Sequence, residues 1–437
     1  MPKGKKKGKF EHRRTELPYS SDEDAGIDMT NDNCSETSGQ SDLRSNHDEA
    51  ENEAQEKFEE KVMEIIDALS ARSNAARAAA LVALRSALQR RYLAVLLSGQ
   101  RATLADHVTK ALRRGKDGEK KAAAAVAPIL ALQIGEDGVE EFMQEVRPAL
   151  AAAAADKTAS LETRTECCSA LAILCYLMED DLAEVLEVMR LFETIFSGSY
   201  LKGDGTVKVS GAVVEEGGWH AAAIDGWALL LALTEPDHAR SLLKEHPPSF
   251  ARLADLLEAC SLEVRMAAGG ALAIAHERVT EDEEEEYSGW DRAGEELVLP
   301  RLDELARDSH KYRAKRDRKV QRATFRDILK YFEEGDVPEL RVRIGTECVS
   351  CDTWSTRATY TALAASLGAG LQSLALHSSR LRAALQLSAD VPLEIPQRPG
   401  ADKRTKLQRH LQNTAACKAR TVARNKNRDK RSAALAI

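Results

Sequence analysis

The chain has 437 residues, of which 43% are hydrophobic and only 5% aromatic. Ala and Leu dominate many segments, a composition that favours helices over sheets and allows one extended core or two modest ones. No apolar run approaches the ~20 residues that span a bilayer, so we expect no membrane protein. The first lysines have no apolar stretch behind them, so we expect no signal peptide either. The eight cysteines indicate reduced thiols, as in the cytosol or nucleus.

The formal net charge of −8 hides blocks of opposite sign. Residues 1–16 carry seven Lys or Arg against two Glu, whereas residues 17–60 carry fourteen acids against two Lys or Arg. The segment Lys403–Arg431 carries eleven Lys or Arg against one Asp. Because such sorting concerns partners rather than fold, it predicts a large acidic partner, with nucleic acid as the first candidate.

Residues 1–55 are rich in Ser, Asp, Glu, Asn and Gly and carry few large apolar groups. They cannot bury enough surface to offset the entropy of ordering, so we predict a disordered tail, basic first and then acidic. Ser20 and Ser21 precede three acids and are candidate phosphorylation sites for an acid-directed kinase. The alternative is a solubilising tail with no regulatory site.

An internal repeat predicts the architecture. Leu161-Glu162-Thr163-Arg164 precedes Ala170-Leu171-Ala172-Ile173, and Leu262-Glu263-Val264-Arg265 precedes Ala271-Leu272-Ala273-Ile274 at the same offset. A third copy starts at Arg77, and weaker copies place Lys121 and His220 in the Arg position. The five positions are 44, 43, 56 and 45 residues apart, a period typical of armadillo or HEAT units.

We therefore predict an all-α, armadillo/HEAT-like helical repeat solenoid over residues 56–389, in which each unit buries the apolar face of its neighbour. Arg164 and Arg265 are expected to bond carbonyls or acids between units, which is a structural role. The long step contains Ser197–Gly217, which we interpret as an inserted loop. Six consecutive acids within Thr280–Glu295 predict a second, solvated loop.

The repeat domain is expected to end at a Pro-rich linker. Three prolines and a glycine fall within Val391–Gly400, so we place the linker at residues 390–402. Residues 403–437 are then predicted to form a separate, basic, helical C-terminal domain.

No catalytic motif is complete. Gly198 and Gly203 have phosphate-loop spacing, but Asp204 occupies the place of the lysine. His276-Glu277 opens like a zinc-protease helix, but Thr280 replaces the second ligand. We therefore expect a non-enzymatic protein with no cofactor and no small-molecule substrate.

Cys348 and Cys351 form a single C-x-x-C pair. A structural zinc ion needs four ligands, and no second pair has suitable spacing. We interpret both as ordinary buried thiols and expect no metal, and the same holds for Cys167, Cys168 and Cys175 in the apolar repeat.

The first basic segment, residues 311–326, holds eight cations and one acid in sixteen positions. In a helix, several of these cations share one face, and a fixed row of guanidinium groups suits bidentate phosphate binding. A solvated helix face is the alternative. We expect the apolar side chains Val320, Phe325, Ile328, Leu329 and Phe332 to form the packing side. The candidate nucleic-acid-binding residues are Lys311, Arg313, Lys315, Arg318, Lys319, Arg322 and Arg326.

The second basic segment is Lys403–Arg431, which we call the C-terminal segment. It contains no Gly or Pro and is too polar to pack a core alone, so we predict a free or marginal helix that orders on binding. Its 29 residues would extend about 43 Å as a helix, long and thin enough for an RNA-lined channel. Nuclear import is the competing function. The candidate binding residues are Lys403, Arg404, Lys406, Arg409, Lys418, Arg420, Arg424, Lys426, Arg428, Lys430 and Arg431.

These two basic segments also carry a family resemblance. Ser309–Gly335, SHKYRAKRDRKVQRATFRDILKYFEEG, resembles the hallmark of the interferon-related developmental regulator family. Leu407–Ala433, LQRHLQNTAACKARTVARNKNRDKRSA, resembles the C-terminal domain of that family. The likeness extends over roughly residues 50–435. It implies a helical repeat fold, no catalytic residues, and one of two functions: ribosome association that silences translation, or nuclear co-regulation of transcription through deacetylase-containing complexes.

The leading hypothesis is a ribosome- or RNA-binding regulator that represses translation by docking its repeat scaffold and inserting the C-terminal segment into an RNA channel. Two dense cationic segments favour phosphate as the partner. The alternative is a transcriptional co-regulator that recruits deacetylase complexes during differentiation or stress. The expected location is cytoplasmic, with a second pool in the nucleus.

Overall fold

The computed structural model describes residues 42–200, 214–245, 248–280, 290–307, 315–389, 414–415, 417–422 and 424. Most of the predicted insertion at 197–217, the acidic run at 281–286 and the predicted linker lie outside these ranges. Contacts divide the chain into Met1–Glu53 and Ala54–Ile437, and the hydrophobic core lies in the second unit. No helix of the described ranges is long and apolar enough to cross a membrane.

The first helices of the chain are α1 (Asp42–Ala68), α2 (Asn74–Arg90), α3 (Ala94–Leu97), α4 (Arg101–Arg114), α5 (Asp117–Ile134), α6 (Glu136–Ala155), α7 (Leu161–Met178) and α8 (Leu182–Phe196). They are followed by α9 (Gly217–Leu231), α10 (Pro236–Glu245), α11 (Phe250–Asp255), α12 (Leu262–Thr280), α13 (Trp290–Arg307) and α14 (Lys315–Glu334). The hairpin β1 (Arg341–Ile344) and β2 (Glu347–Ser350) precedes α15 (Trp354–Leu367), α16 (Gly370–Ala375) and α17 (Ser379–Ala384). The predicted all-α repeat class is confirmed.

Two helix starts differ from the sequence-based boundaries. α1 begins at Asp42, inside the predicted tail. α13 begins at Trp290, inside the segment predicted as an acidic loop. Both helices therefore start earlier in the chain than the sequence-based boundaries place them.

Five helices form the spine of the array: α2, α5, α7, α9 and α12, which we call the ladder helices. Each packs against the next. Arg77, Arg164, His220 and Arg265 are each the fourth residue of a ladder helix, so the predicted repeat positions are equivalent in space. In α5 the fourth residue is Lys120, so the predicted Lys121 is displaced by one position.

The basic residue of a repeat contacts the following repeat. Arg77 donates from Nε and Nη2 to the two carboxylate oxygens of Glu119 at 2.6 and 2.8 Å. The Arg164 guanidinium lies 3.3 Å from the ring centroid of Trp219. Arg265 donates to Oε1 of Gln321 at 3.3 Å. Arg164 and Arg265 thus contact the next unit, but through a tryptophan ring and a side-chain amide rather than through the predicted backbone carbonyls or acids.

The hairpin of β1 and β2 was not predicted from the sequence. Its two strands are antiparallel, with Arg341 opposite Ser350 and Ile344 opposite Glu347. Because side chains alternate along a strand, Val349 points inward and is buried whereas Cys348 is exposed. The buried Arg382 of α17 fixes the hairpin through an ion pair to Glu347 at 2.6 Å.

After the hairpin, residues 354–387 run back along the ladder helices, and we call them the return segment. Glu277 of α12 accepts hydrogen bonds from the first N–H groups of α15, with 2.5 Å from Trp354 N to Oε2. Farther along α15, Thr359 donates to the Tyr176 hydroxyl of α7 at 3.1 Å. At its end, Gln89 of α2 donates to the Leu367 carbonyl at 3.1 Å. The return segment therefore covers one side of the ladder from α12 to α2.

Candidate nucleic-acid interface

α14 is held on the array by one apolar face. Phe325 and Ile328 are fully buried, and they pack on α12 at Gly269. A Cβ atom at Gly269 would lie 2.8 Å from Ile328 Cδ1 and 2.9 Å from Phe325 Cε1. Only a residue without a side chain allows this approach, so the backbone of α14 is fixed relative to α12.

The packing face differs from the predicted one at two positions. Val320 is 43% exposed, whereas its neighbour Gln321 is 2% exposed and bonds Arg265. Residues 321, 325, 328 and 332 step by three or four and share a face, while position 320 lies about 100° away around the helix. The prediction that Val320 packs is therefore wrong. Although its side chain is apolar, its position on the helix turns it away from the buried face.

The predicted cations lie along one flank of α14, outside its buried face. Lys315, Lys319 and Arg326 are exposed, and Arg318 and Arg322 are half-buried. The Nε of Arg322 donates to the Arg318 carbonyl at 3.2 Å. Within the described ranges none of the five forms an ion pair with a carboxylate, in contrast to Lys330 on the same helix, which pairs with Asp336. Lys311 and Arg313 lie outside the described residues.

Only part of the C-terminal segment is described, and that part is helical at 414–415, 417–422 and 424. It includes three predicted binding residues, Lys418, Arg420 and Arg424, and all three are exposed. Lys418 forms an ion pair with Asp67 of α1, with 2.6 Å between Nζ and Oδ1. The predicted residues outside the described ranges are Lys403, Arg404, Lys406, Arg409, Lys426, Arg428, Lys430 and Arg431, together with Ser20 and Ser21 of the tail.

Four exposed cations that lie in clusters of basic residues were not predicted from the sequence. Arg316 belongs to the α14 segment and is exposed. Arg113 and Arg114 end α4 and Lys116 follows them, and all three are exposed. Their signal in the sequence is three cations within four positions, which is short and is followed at once by acids. Arg114 also lines a cavity of about 290 Å³ between α4, α2 and the turn that precedes α2.

The prediction that the cysteines are buried thiols is correct for only some of them. Cys167, Cys168 and Cys175 are buried, and burial raises the pKa of each thiol to about 12. Cys351 is buried too, but Cys348 is exposed on β2, so the prediction of two buried thiols is wrong for Cys348. Among the described residues, no group of three or more His, Cys, Asp or Glu could hold a metal ion.

The His276-Glu277 pair, which begins a zinc-protease pattern in the sequence, has structural contacts. The His276 ring packs on Phe332 and Tyr331 of α14, at centroid distances of 4.7 and 5.6 Å. The Glu277 carboxylate binds the start of α15. Both side chains therefore connect α12 to elements that follow it in the chain, His276 to α14 and Glu277 to α15.

Comparison with known proteins places the chain in a family. The profile of the interferon-related developmental regulator family matches residues 33–333, and that of the interferon-related protein conserved region matches residues 381–432. The chain is 34% identical to interferon-related developmental regulator 1 of Mus musculus, over 96% of this chain and 91% of the relative. It is 36% identical to interferon-related developmental regulator 2 of Mus musculus, over 87% and 85%. Homo sapiens interferon-related developmental regulator 1 is 33% identical, over 97% and 91%. This chain therefore belongs to the interferon-related developmental regulator family.

Proposed function

We propose that this protein is a non-catalytic, ribosome- or RNA-binding regulator that represses translation. The observation that carries the proposal is the cationic face of α14, where Lys315, Lys319 and Arg326 stand exposed without carboxylate partners in the described ranges. Like charges on one helix face repel each other and need a source of counter-charge. A phosphate backbone supplies that charge at regular spacing.

The rigidity of α14 supports a docking role. Its backbone is fixed against α12 at Gly269, and Gln321 is bonded to Arg265. Cations on a fixed helix lose less entropy on binding than cations on a free chain. An exposed Arg such as Arg326 can bind a phosphate through two nitrogens in such a setting.

The return segment also bears on where a partner binds. Repeat solenoids commonly bind partners along the surface formed by their stacked helices. Here one side of the ladder is covered by α15 from α12 to α2, so a partner needs another surface. The cationic face of α14 and the C-terminal segment are the surfaces that suit a polyanion.

In this proposal the C-terminal segment enters an RNA channel while α14 binds phosphate at the surface. The segment carries ten more cations than acids, and its described part is helical with Lys418, Arg420 and Arg424 exposed. A helix is narrow enough for a channel that accommodates a single RNA strand. The site of action is then cytoplasmic, with a second pool in the nucleus, and no membrane or small molecule takes part.

A second candidate function is a scaffold for nuclear protein complexes such as deacetylases. The observation in its favour is a groove of about 290 Å³ among α8, α9 and α10. Leu186, Met189, Trp227 and Leu242 give it an apolar wall, and Arg190 and His238 lie at its side. An apolar groove with polar edges suits a protein helix better than RNA.

Gradient sedimentation of a cell lysate separates the two candidates. We expect the protein to comigrate with ribosomal particles at low salt and to leave them at high salt, because phosphate contacts weaken steeply with salt. The matched variant is Lys315→Ala with Lys319→Ala and Arg326→Ala, which should shift the protein to lighter fractions. Recovery only in nuclear deacetylase-containing fractions would contradict the proposal and favour the scaffold.

A further inference from the structure

The second half of α1 has an acidic face. Glu56, Glu60, Glu64 and Asp67 follow one another in steps of four, four and three, so they lie along one side of the helix. All four are exposed, and the opposite side buries Val62 and Ile66 in the core. The packed side fixes the acids in a row, which presents spaced negative charge much as a phosphate backbone does.

The C-terminal segment touches this face. Lys418 Nζ lies 2.6 Å from Asp67 Oδ1. Ala415, one helical turn earlier, is only 1% exposed, although a short polar helix standing free in solvent would expose it. Burial lowers the pKa of His107 on α4, and the nearby charges of Lys110 and Lys418 lower it further. The ion pair places Lys418 against α1, and the effect of its charge on His107 follows from the same placement, next to α4.

We propose that the acidic face of α1 is an intramolecular docking site for the C-terminal segment, and that RNA phosphates compete with it for the same cations. The docking rests on the ion pair of Lys418 with Asp67 and on the burial of Ala415. The competition rests on the proposed function, since it requires the segment to bind RNA.

The docking is weak enough to be reversible. The side chains of Asp67 and Lys418 are 63% and 47% exposed, and an exposed ion pair of this kind shifts an equilibrium by no more than about fivefold. An RNA strand offers phosphates to many of the cations at once. The segment is therefore held near the array when RNA is absent and leaves it when RNA is present.

The docking is tested on the full-length chain by hydrogen exchange of the backbone amides of residues 414–424. Asp67→Lys and Lys418→Asp should each speed this exchange about two- to fivefold, because each places like charges opposite one another. The combined exchange of charges, Asp67→Lys with Lys418→Asp, should restore the slow rate. Glu141→Lys is the matched control, since Glu141 is an exposed acid on α6 with the same change of charge, and it should leave the rate unaltered.

Unchanged exchange in both single variants overturns the docking. So does a double variant that exchanges as fast as the singles, since the singles would then act through something other than this pair. The circular dichroism of each variant shows whether the array still folds, and Lys418→Asp keeps the test valid if Asp67→Lys does not fold.

The competition is tested with a single-stranded RNA of 20 nucleotides. Asp67→Lys should bind it about two- to fivefold more tightly than Glu141→Lys does, because both add the same charge but only the first frees the segment. Equal affinities would overturn the competition. If charge reversal restores slow exchange while no variant binds RNA, the docking stands and the proposed function fails, so the two failures are distinguishable.

Discussion

Arg77 and Arg265 make the same two backbone contacts in different repeats. The Nη1 of Arg77 donates to the carbonyls of Ala71 and Arg72 at 2.9 and 3.1 Å, six and five residues before it. The Nη1 of Arg265 donates to the carbonyls of Ala259 and Cys260 at 2.6 and 3.1 Å, at the same offsets. The arginine therefore donates hydrogen bonds to the backbone carbonyls of the turn that precedes its ladder helix. This shared role explains why the motif repeats in the sequence.

Removing this arginine should destabilise the array. Arg265→Ala leaves the Ala259 carbonyl and Gln321 without their buried donor, so we expect a loss of roughly 2–3 kcal/mol in the free energy of unfolding. Arg265→Lys should lose less, because it keeps the charge but not the forked geometry. Chemical denaturation measures both. The control is Arg113→Ala, at an exposed position at the end of α4, which should change the free energy of unfolding by less than about 0.5 kcal/mol. A loss as large as that of Arg265→Ala would contradict the structural role of Arg265.

Two adjacent glycines of α12 should respond in opposite directions. Gly269→Ala places a methyl group 2.8 Å from Ile328 Cδ1, and such overpacking costs about 1–3 kcal/mol. At Gly270 no atom lies within 4 Å of the added Cβ, so Gly270→Ala should stabilise the helix by about 0.4–1 kcal/mol. Thermal unfolding of the two variants tests this. Similar changes for both would show that α14 does not pack on α12 as described.

His220 should make stability depend on pH. Burial lowers its pKa to about 4, and its Nδ1 lies 2.7 Å from the Ser199 hydroxyl. The unfolded chain binds this proton near pH 6.5, whereas the folded protein binds it only near pH 4. Stability is therefore full above pH 6.5 and falls as the pH drops towards 4. Between pH 7 and pH 5 we expect a loss of about 2 kcal/mol.

The matched variant isolates this contribution. The difference in unfolding free energy between wild type and His220→Gln should shrink by about 2 kcal/mol from pH 7 to pH 5, because only the wild type carries the titrating ring. Chemical denaturation of both proteins at pH 7 and pH 5 gives the four unfolding free energies that the comparison needs. A difference that stays constant would mean that the ring is protonated in the folded protein.

The cations of α14 should differ from their neighbour Lys330. Lys315→Ala with Lys319→Ala and Arg326→Ala should reduce the slope of log affinity against log salt by about 2, at about 0.7 per phosphate contact on single-stranded RNA. Lys330→Ala should leave the slope unaltered, since Lys330 already pairs with Asp336. An effect of Lys330→Ala one third as large as that of the triple variant would show that only total charge matters. Fluorescence anisotropy with a labelled RNA measures both.

The sequence predicts the ladder well, because each ladder helix contains an arginine or its substitute at a fixed place before an apolar run. It does not predict the return segment. The buried residues of α15, such as Leu363 and Leu367, have the same spacing as those of a repeat helix. The reversal of the chain is shown by distant contacts such as that of Glu277 with Trp354. The buried face of α14 was also predicted wrongly at Val320. The sequence does not show that the polar Gln321 is buried instead, where it accepts a hydrogen bond from Arg265 of α12.

Of the candidate interface, the sequence predicts the exposed cations but not the contacts between distant charges. The exposed cations Lys315, Lys319 and Arg326 of α14 were predicted because charge density is a local property of the sequence. The ion pair between Lys418 and Asp67 joins residues 351 positions apart, and no local pattern indicates it. Pairing between distant charges depends on the packing of the whole array, which the sequence specifies only through the fold.

The most direct test of the account compares RNA binding of the full chain with that of a chain lacking residues 401–437, over a range of salt concentrations. If six to eight side chains of the C-terminal segment neutralise phosphates, the segment should contribute roughly −4 to −6 to the slope of log affinity against log salt. The shortened chain should bind orders of magnitude more weakly with a flatter slope, while its melting temperature stays nearly unchanged. If the shortened chain binds ribosomes or RNA as tightly as the full chain at every salt concentration, the channel-insertion account is contradicted.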